Sequence, residues 1–131
     1  MRLLDAVVHA DPGRAVCRVR ITPGASFVDR GRVPGPVCLE YMAQCAAVVR
    51  GCTANRRGAP VPGFLIGVRD LQLRVDHLMV GDELLVHAEL VWGDATLGQF
   101  RCSVQRHGAN VATAILNAFQ PQRVLRPEDL P

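Results

Sequence analysis

An apolar helix that carries one carboxylate is the sequence feature that most constrains the fold. The helix is predicted to begin at Pro36, because the missing N–H of proline would have no partner at the first helical position anyway. The residues that follow are apolar on nearly every side as far as Val49, a pattern typical of a buried helix. Glu40 and Gln44 are the exceptions and lie one turn apart on one face. Burying an unpaired carboxylate is costly, so we expect Glu40 to be hydrogen-bonded, protonated or used in chemistry.

Six segments of alternating apolar and polar residues flank this helix, two before it and four after it. The first two form a predicted hairpin around Asp11-Pro12-Gly13, an irregular connection over residues 23–35 leads to the helix, and Gly58 is predicted to end it. This order predicts one α+β domain, residues 1–131, in which an antiparallel sheet of about six strands wraps around one long buried central helix. The predicted strands are 3–10, 14–22, 64–75, 83–92, 97–106 and 111–120, and the later turns are Gly81-Asp82, Gly93-Asp94 and His107-Gly108.

Composition narrows the range of partners. The formal net charge is +3, and the chain has one Tyr, one Trp and no basic stripe interleaved with aromatic residues, so nucleic-acid binding is not expected. No apolar run reaches the roughly 18 residues of a membrane span, and Asp5 interrupts any signal-like start. We therefore expect a cytoplasmic protein without a membrane span. Three arginine pairs either form solvated surface charge or meet an acidic partner or a phosphate: Arg30/Arg32, Arg56/Arg57 and Arg123/Arg126.

The five cysteines, an odd number, fit no disulfide framework, and none forms a Cys-x-x-Cys pair. Cys38, Cys45 and Cys52 recur every seven residues on one helix face, which favours packing in the core over a redox or metal role. No spacing of His, Asp and Glu resembles a metal-ligand set, so neither a metal nor a cofactor is expected.

The segment from Pro34 to Gln44 resembles the central-helix motif of the hot-dog-fold 3-hydroxyacyl-(acyl carrier protein) dehydratases. Its Pro-Gly pair is followed by Glu five residues after the Gly, and then by Met-Ala-Gln. Leu3-Leu4-Asp5 resembles the first strand of that family, and residues 80–84 resemble its Pro-Gly-Asp-x-Leu turn. Residues 117–121, Asn-Ala-Phe-Gln-Pro, resemble the last-strand ending of the aryl-polyene-type branch. The resemblance implies a hot-dog fold over most of the chain.

The resemblance also implies roles for the residues at the start of the helix. Glu40 corresponds to the acid that protonates the departing hydroxyl, and the backbone N–H of Gly35 to the donor that polarises the thioester carbonyl. Free N–H groups and the positive dipole end at a helix N-terminus agree with the second role. Gln44 would orient Glu40, and the alternative is that the Glu/Gln pair ties the helix to a neighbouring strand. The predicted substrate-binding residues are Ser26, Phe27, Val37 and Gln44.

The catalytic histidine of the resembled family has no counterpart here. Ser26 occupies its place before the matching Phe27, and no histidine lies between Ala10 and Asp76. His87 alternates with apolar residues and is expected to point to solvent, whereas His77 is predicted in a loop. Family members usually carry a Leu-Pro-His segment just before a Met or other apolar residue that leads into Leu-Leu-Asp, and Met1 occupies the position of that residue here. We therefore expect either that the start was placed too late or that acid–base chemistry was given up. The other two histidines are His9, near the first turn, and His107, in a turn.

The resemblance implies a dehydratase-like protein of fatty-acid or aryl-polyene-type synthesis. It would act on a 3-hydroxyacyl chain held by the phosphopantetheine arm of an acyl carrier protein. Two alternatives stay open: a non-catalytic hot-dog subunit that pairs with an active homologue, and an acyl thioesterase in which the helix carboxylate activates water. In this family two sheets join edge to edge, so a homodimer or a larger even assembly is expected.

Overall fold

The computed structural model describes residues 3–54 and 64–119. Within these ranges the chain forms eight strands and one long helix. The strands are β1 (Ala6–Asp11), β2 (Arg14–Arg20), β3 (Arg32–Pro34), β4 (Phe64–Leu73), β5 (His77–Met79), β6 (Glu83–Gly93), β7 (Leu97–Arg106) and β8 (Ala109–Phe119), and the helix is α1 (Cys38–Ala54), preceded by a 3₁₀ turn at Gly35–Val37. The predicted helix end at Gly58 lies outside the described residues.

Six of the strands form one antiparallel sheet in the order β1-β2-β6-β7-β8-β4. These are the six predicted segments with small shifts at their ends, so the α+β architecture is confirmed. β3 and β5 were not predicted and pair with each other as a separate two-stranded sheet. Each has three residues, too few for an alternation of apolar and polar side chains to show.

The hydrophobic core lies between α1 and one face of the large sheet. The helix packs mainly on β2, β6 and β7. Burial of one large apolar side chain stabilises the fold by about 1.5–3 kcal/mol, so this interface fixes the position of α1. Its fully buried members include Met42 and Val49 from the helix, and Leu84, Val86, Phe100 and Val104 from the sheet.

The helix is not buried all round, contrary to the prediction. One side of α1 faces away from the sheet, and Glu40 and Ala47 on this side are exposed. Ala43, Gln44 and Gly51 on the same side are half-buried. We call these five residues the open face of α1. The prediction of a fully buried helix failed because alanine and glycine dominate this face, and small apolar residues gain little free energy from burial.

The second half of α1 is anchored to the hairpin of β6 and β7 by Arg50. Its Nη1 donates to the backbone oxygen of Asp94 at 2.8 Å, and its guanidinium lies 5.7 Å from the centre of the Phe100 ring. A Cβ built on Gly98 would overlap with Arg50 Nη2. Glycine at that position therefore leaves the room that the guanidinium occupies.

The cysteines in the described part of the chain lie in the core. Cys38 and Cys45 are fully buried, which confirms the packing prediction for these two, whereas the side chain of Cys52 lies outside the described part. Desolvation raises the pKa of Cys38 to about 11 and that of Cys102 to about 12. It also raises the pKa of Cys17 and Cys45. The described residues contain no group of three or more His, Cys, Asp or Glu that is able to hold a metal.

We expect the four buried thiols, Cys17, Cys38, Cys45 and Cys102, to resist an aromatic disulfide reagent in the folded protein at mildly alkaline pH. The thiolate is the reactive form, and burial disfavours it. A Cys52→Ser variant removes the fifth thiol, and the rate of thiol release is compared with and without urea. Rapid reaction of any thiol in the folded variant would contradict the packing.

Because the pKa values of Cys38 and Cys102 in the folded protein exceed the ordinary 9.0, the free energy of unfolding is also expected to fall as pH rises above 9.0.

No helix in residues 3–54 or 64–119 is long and apolar enough to cross a membrane.

Candidate functional site

Glu40 lies in the first turn of α1, on its open face. A carboxylate is favoured there by the positive end of the helix dipole. The carboxylate is exposed and makes no hydrogen bond or ion pair with another described residue. The prediction that Glu40 is buried is therefore wrong for the single chain as far as it is described, because none of the described elements covers the open face. Its role as an acid stays a prediction.

Gln44 connects the helix to the segment before β1. Its Oε1 accepts a hydrogen bond from the backbone N–H of Leu3 at 2.8 Å, and the side chain is half-buried. This contact corresponds to the alternative considered above, in which the amide holds the helix to a neighbouring segment. The same bond brings the chain just before β1 alongside the open face of α1. The predicted role of orienting Glu40 stays untested.

Gly35 begins the 3₁₀ turn and is buried where the chain between β4 and β5 crosses it. A Cβ at this position would lie 2.6 Å from the backbone oxygen of Val75 and 3.2 Å from that of Asp76, so no other residue fits without a backbone shift. The N–H of Gly35 donates to the Asp76 oxygen at 2.8 Å. The prediction that this N–H is free for a thioester carbonyl does not hold in this state. To act as the oxyanion donor, Gly35 would exchange Asp76 for the substrate.

The other predicted substrate-binding residues separate into two groups. Ser26 and Phe27 lie on the surface in the loop before β3, and Phe27 has a left-handed φ of 68° and is 46% exposed. Val37, in contrast, is only 9% exposed and belongs to the core. The predicted contact of Val37 with a substrate therefore requires a path into the core that this chain does not open. The structure brings Gly35, Val37, Glu40 and Gln44 together around the helix start.

A tight hairpin precedes β3 and was missed by the sequence reasoning. Asp29 and Arg32 form an isolated antiparallel bridge, with N–H to oxygen distances of 2.9 and 3.1 Å in the two directions. Arg30 and Gly31 between them have φ values of 55° and 77°, the left-handed pair of a type I′ turn. The usual sequence signal for this turn is Asn-Gly or Asp-Gly, so the Arg-Gly pair did not indicate a hairpin.

A surface groove of about 520 Å³ runs from this hairpin to β5. His77 pairs with Pro34 across β3 and β5, so the histidine predicted in a loop lies in a short strand next to the helix start. The residues that line the groove are Asp29, Arg30, Arg32, Pro34, Asp76 and His77.

The remaining histidines lie elsewhere. His9 on β1 pairs with Asp11 at 2.7 Å, and this hydrogen bond lowers the pKa of the Asp11 carboxyl. His107 occupies a turn with φ 53°. His87 lies on the sheet face away from the helix, as the alternation predicts, between Val16 and Ser103. Its Nε2 is nevertheless buried and has no hydrogen-bond partner among the described residues, so the prediction that it points to solvent is wrong.

A protein-family model described as ApeP-like, ApeP dehydratase, matches residues 1–128. The chain therefore belongs to the ApeP-like dehydratase family, which confirms the resemblance seen in the sequence.

Among solved structures, the chain is similar to one described as the dehydratase heterocomplex ApeI:P from Xenorhabdus doucetiae, with 27% identity and a TM-score of 0.86. The match covers 92% of this chain and 83% of that one. A hypothetical thioesterase with coenzyme A from Streptococcus pneumoniae matches with 15% identity and a TM-score of 0.70, over 91% of this chain and 87% of that one. Zebra fish thioesterase superfamily member 2 matches with 15% identity and a TM-score of 0.68, over 88% and 80%. The fold is the hot-dog fold, as predicted.

Proposed function

We propose that this chain is a dehydratase subunit that removes water from a 3-hydroxyacyl thioester carried by an acyl carrier protein. The product is the trans-2-enoyl thioester of fatty-acid or aryl-polyene-type biosynthesis. The observation that carries the proposal is the exposed carboxylate of Glu40 on the open face of α1, which pairs with no other described residue, in a chain of the ApeP-like dehydratase family. Glu40 gives its proton to the departing hydroxyl.

An assembly completes the site by covering the open face. Exposed carboxylates lose protons easily in water, whereas an acid catalyst works best where water is excluded. The open face is suited to close approach, because Ala43, Ala47 and Gly51 surround the two polar residues with little bulk. β4 is an edge of the large sheet and exposes Val68, Leu71 and Leu73. An uncovered edge with apolar side chains favours pairing with another chain.

We therefore expect the purified protein to be a homodimer or a larger even assembly. Light scattering at micromolar concentration is expected to give a mass of twice 14.2 kDa or more. As a control, Leu71→Lys on β4 places a charge on the exposed edge and is expected to lower the measured mass if that edge forms the contact. A single species near 14.2 kDa for the native sequence would contradict the assembly.

The activity is tested with a short 3-hydroxyacyl thioester by following the enoyl product and the free thiol separately. Enoyl formation supports the proposal. Thiol release without enoyl product would support the acyl thioesterase instead, in which Glu40 activates water. If the purified chain forms neither product, the result would favour the second candidate, a subunit that needs a different hot-dog partner.

The second candidate is a subunit that needs a different hot-dog partner. Elimination requires a base for the α-proton, and none of the four histidines lies on α1 or in residues 26–35. The similar structure from Xenorhabdus doucetiae is described as a heterocomplex. If this candidate is correct, enoyl formation appears when a histidine-bearing homologue from the same organism is added. Full activity of the isolated chain would exclude it.

A further inference from the structure

We infer that a cleft on the sheet face away from α1 binds a short zwitterion, a small molecule with an ammonium group at one end and a carboxylate at the other. We call it the outer cleft. Its volume is about 470 Å³, within the range of small-molecule sites. The sheet separates it from α1, so the inference does not rest on the proposed function. The polar side chains that carry the argument are those of Asp70, His87, Arg101, Ser103 and Thr113.

The outer cleft lies over β8, with β7 paired on one side of this strand and β4 on the other. Thr113 and Ile115 of β8 are half-buried on the outer face and line the cleft. Arg101 of β7 pairs with Ile115, and Asp70 of β4 directly follows Arg69, the other partner of Ile115. A positive and a negative side chain therefore stand on opposite sides of the cleft. Pairing of chains along the β4 edge uses backbone groups, so the outer face stays open in the proposed assembly.

A β-bulge in β4 brings Asp70 into the lining of the outer cleft. The pairing of β4 with β8 shifts between Arg69 and Gln72, and Asp70 in this bulge has a left-handed φ of 54°. Aspartate adopts this region more easily than most residues other than glycine. Both Asp70 and Gln72 line the cleft. Bulges often redirect a side chain next to a functional site, and this one supplies the negative side of the cleft.

The polar side chains of the outer cleft have no partners within the described chain. The five named above make no hydrogen bond or ion pair with another described residue. His87 pairs with Ser103 across β6 and β7, and its Nε2 is buried without a hydrogen-bond partner among the described residues. A buried polar atom without a partner is rare in a native structure. A carboxylate held by Arg101 lies one residue pair away and would give this nitrogen an acceptor.

The charges of the lining favour a zwitterion over a simple ion. Arg14 and Arg101 flank Glu89 across neighbouring strands, and neither forms an ion pair with it within 4.0 Å. Glu89 offsets one of the two positive charges, so this side keeps an excess of one positive charge opposite the carboxylate of Asp70. A simple anion would be repelled by Asp70, and a simple cation by the arginines. A molecule with both charges satisfies both sides.

The width of the outer cleft limits the length of the ligand. β7 and β4 are two strand spacings apart, about 9–10 Å. One hydrogen bond of about 2.8 Å at each end leaves about 4 Å between the ammonium and the carboxylate of the ligand. An ω-amino acid with three methylene groups, 4-aminobutyrate, matches this separation. The two charges of glycine are too close together to reach both sides.

Titration calorimetry of the full chain tests the inference with 4-aminobutyrate, glycine and two analogues that carry one charge, butyrate and butylamine. The protein is expected to bind 4-aminobutyrate at least about tenfold more tightly than each of the other three, because each of them loses a charged hydrogen bond at one side of the cleft. Equal affinity for 4-aminobutyrate and any of the other three compounds, or no detectable binding of any of them, would overturn the inference.

Two variants assign the ends of the ligand. Asp70→Asn is expected to bind 4-aminobutyrate no more tightly than butyrate, and Arg101→Gln no more tightly than butylamine. Asparagine also adopts left-handed φ, so the thermal unfolding midpoint of Asp70→Asn is expected to stay near that of the native protein. The matched control Arg18→Gln removes an exposed arginine from the same sheet face outside the cleft and is expected to bind normally.

Each preference is a ratio of two affinities measured on one protein, so an unfolded fraction in a variant does not change it. If Asp70→Asn and Arg101→Gln both keep the native preference for 4-aminobutyrate over the two one-charge analogues, the outer cleft is not the site and the inference is wrong.

Discussion

Replacing Glu40 with glutamine is expected to lower the rate of enoyl formation by about 10²–10⁴-fold in the active assembly, the usual contribution of general acid catalysis. Glutamine keeps the shape of the side chain and cannot give a proton to the departing hydroxyl. Because Glu40 is exposed and unpaired within the described chain, its removal leaves no buried group without a partner. The fold and the urea midpoint are therefore expected to change little.

The matched control for this variant is Glu89→Gln. Glu89 is an exposed carboxylate on β6, on the face of the sheet away from the helix. The Glu89→Gln variant removes the same charge from the protein without changing the open face of α1. Its rate of enoyl formation is therefore expected to stay near that of the native protein. A loss smaller than about tenfold in Glu40→Gln, or an equal loss in both variants, would show that Glu40 is not the acid.

The effect of Glu40 on the rate of enoyl formation is expected to require the assembled protein. Within residues 3–54 and 64–119 of the single chain no element covers the open face of α1, so water would compete with Glu40 for the departing hydroxyl. The rate per subunit is therefore expected to fall when the protein is diluted until it dissociates, while the secondary structure persists. This links the site to the proposed pairing of chains, because the carboxylate and the uncovered face lie on the same side of one helix.

The architecture could be predicted from the sequence because the alternation of apolar and polar residues repeats several times along each long strand. β7 was predicted with both of its ends correct, since apolar and polar residues alternate over residues 98–105 and turn residues bound the strand. β3 and β5 were missed because three residues show no period. They form only because the chain brings two separate segments together beside the helix start. The two short strands are also the part of the fold that builds the groove.

The position of the site residues was predicted correctly from the sequence, whereas their burial and hydrogen-bond partners were not. The motif located Glu40 and Gln44 on one helix face, but an alanine counts as apolar whether or not another element covers it, so the open face was read as buried. The engagement of the Gly35 N–H by Asp76 depends on a contact between residues 41 positions apart, which no local pattern encodes. His87 shows the same limit: alternation gave the correct sheet face, whereas the burial of Nε2 depends on neighbours from two other strands.

Gly35→Ala is expected to destabilise the protein by about 1–3 kcal/mol, the usual cost of forcing an extra carbon into a packed site. The added carbon would lie 2.6 Å from the backbone oxygen of Val75, so the backbone itself must move. That movement also breaks or lengthens the bond from Gly35 to Asp76 and shifts the first turn of α1, which carries Glu40. Both the urea midpoint and the rate of enoyl formation are therefore expected to fall.

Gly51→Ala is the matched control, because it makes the same substitution on the open face of the same helix. No atom of the described residues lies within 4 Å of a Cβ at Gly51, so alanine meets no clash there. It is expected to stabilise the protein by about 0.5–1 kcal/mol through its higher helix propensity. If the two variants unfold at the same urea concentration, the close approach at Gly35 does not constrain the fold. If Gly51→Ala instead separates the subunits in light scattering while the helix is stabilised, the added methyl lies in the contact between chains, which would place the partner directly over the face that carries Glu40.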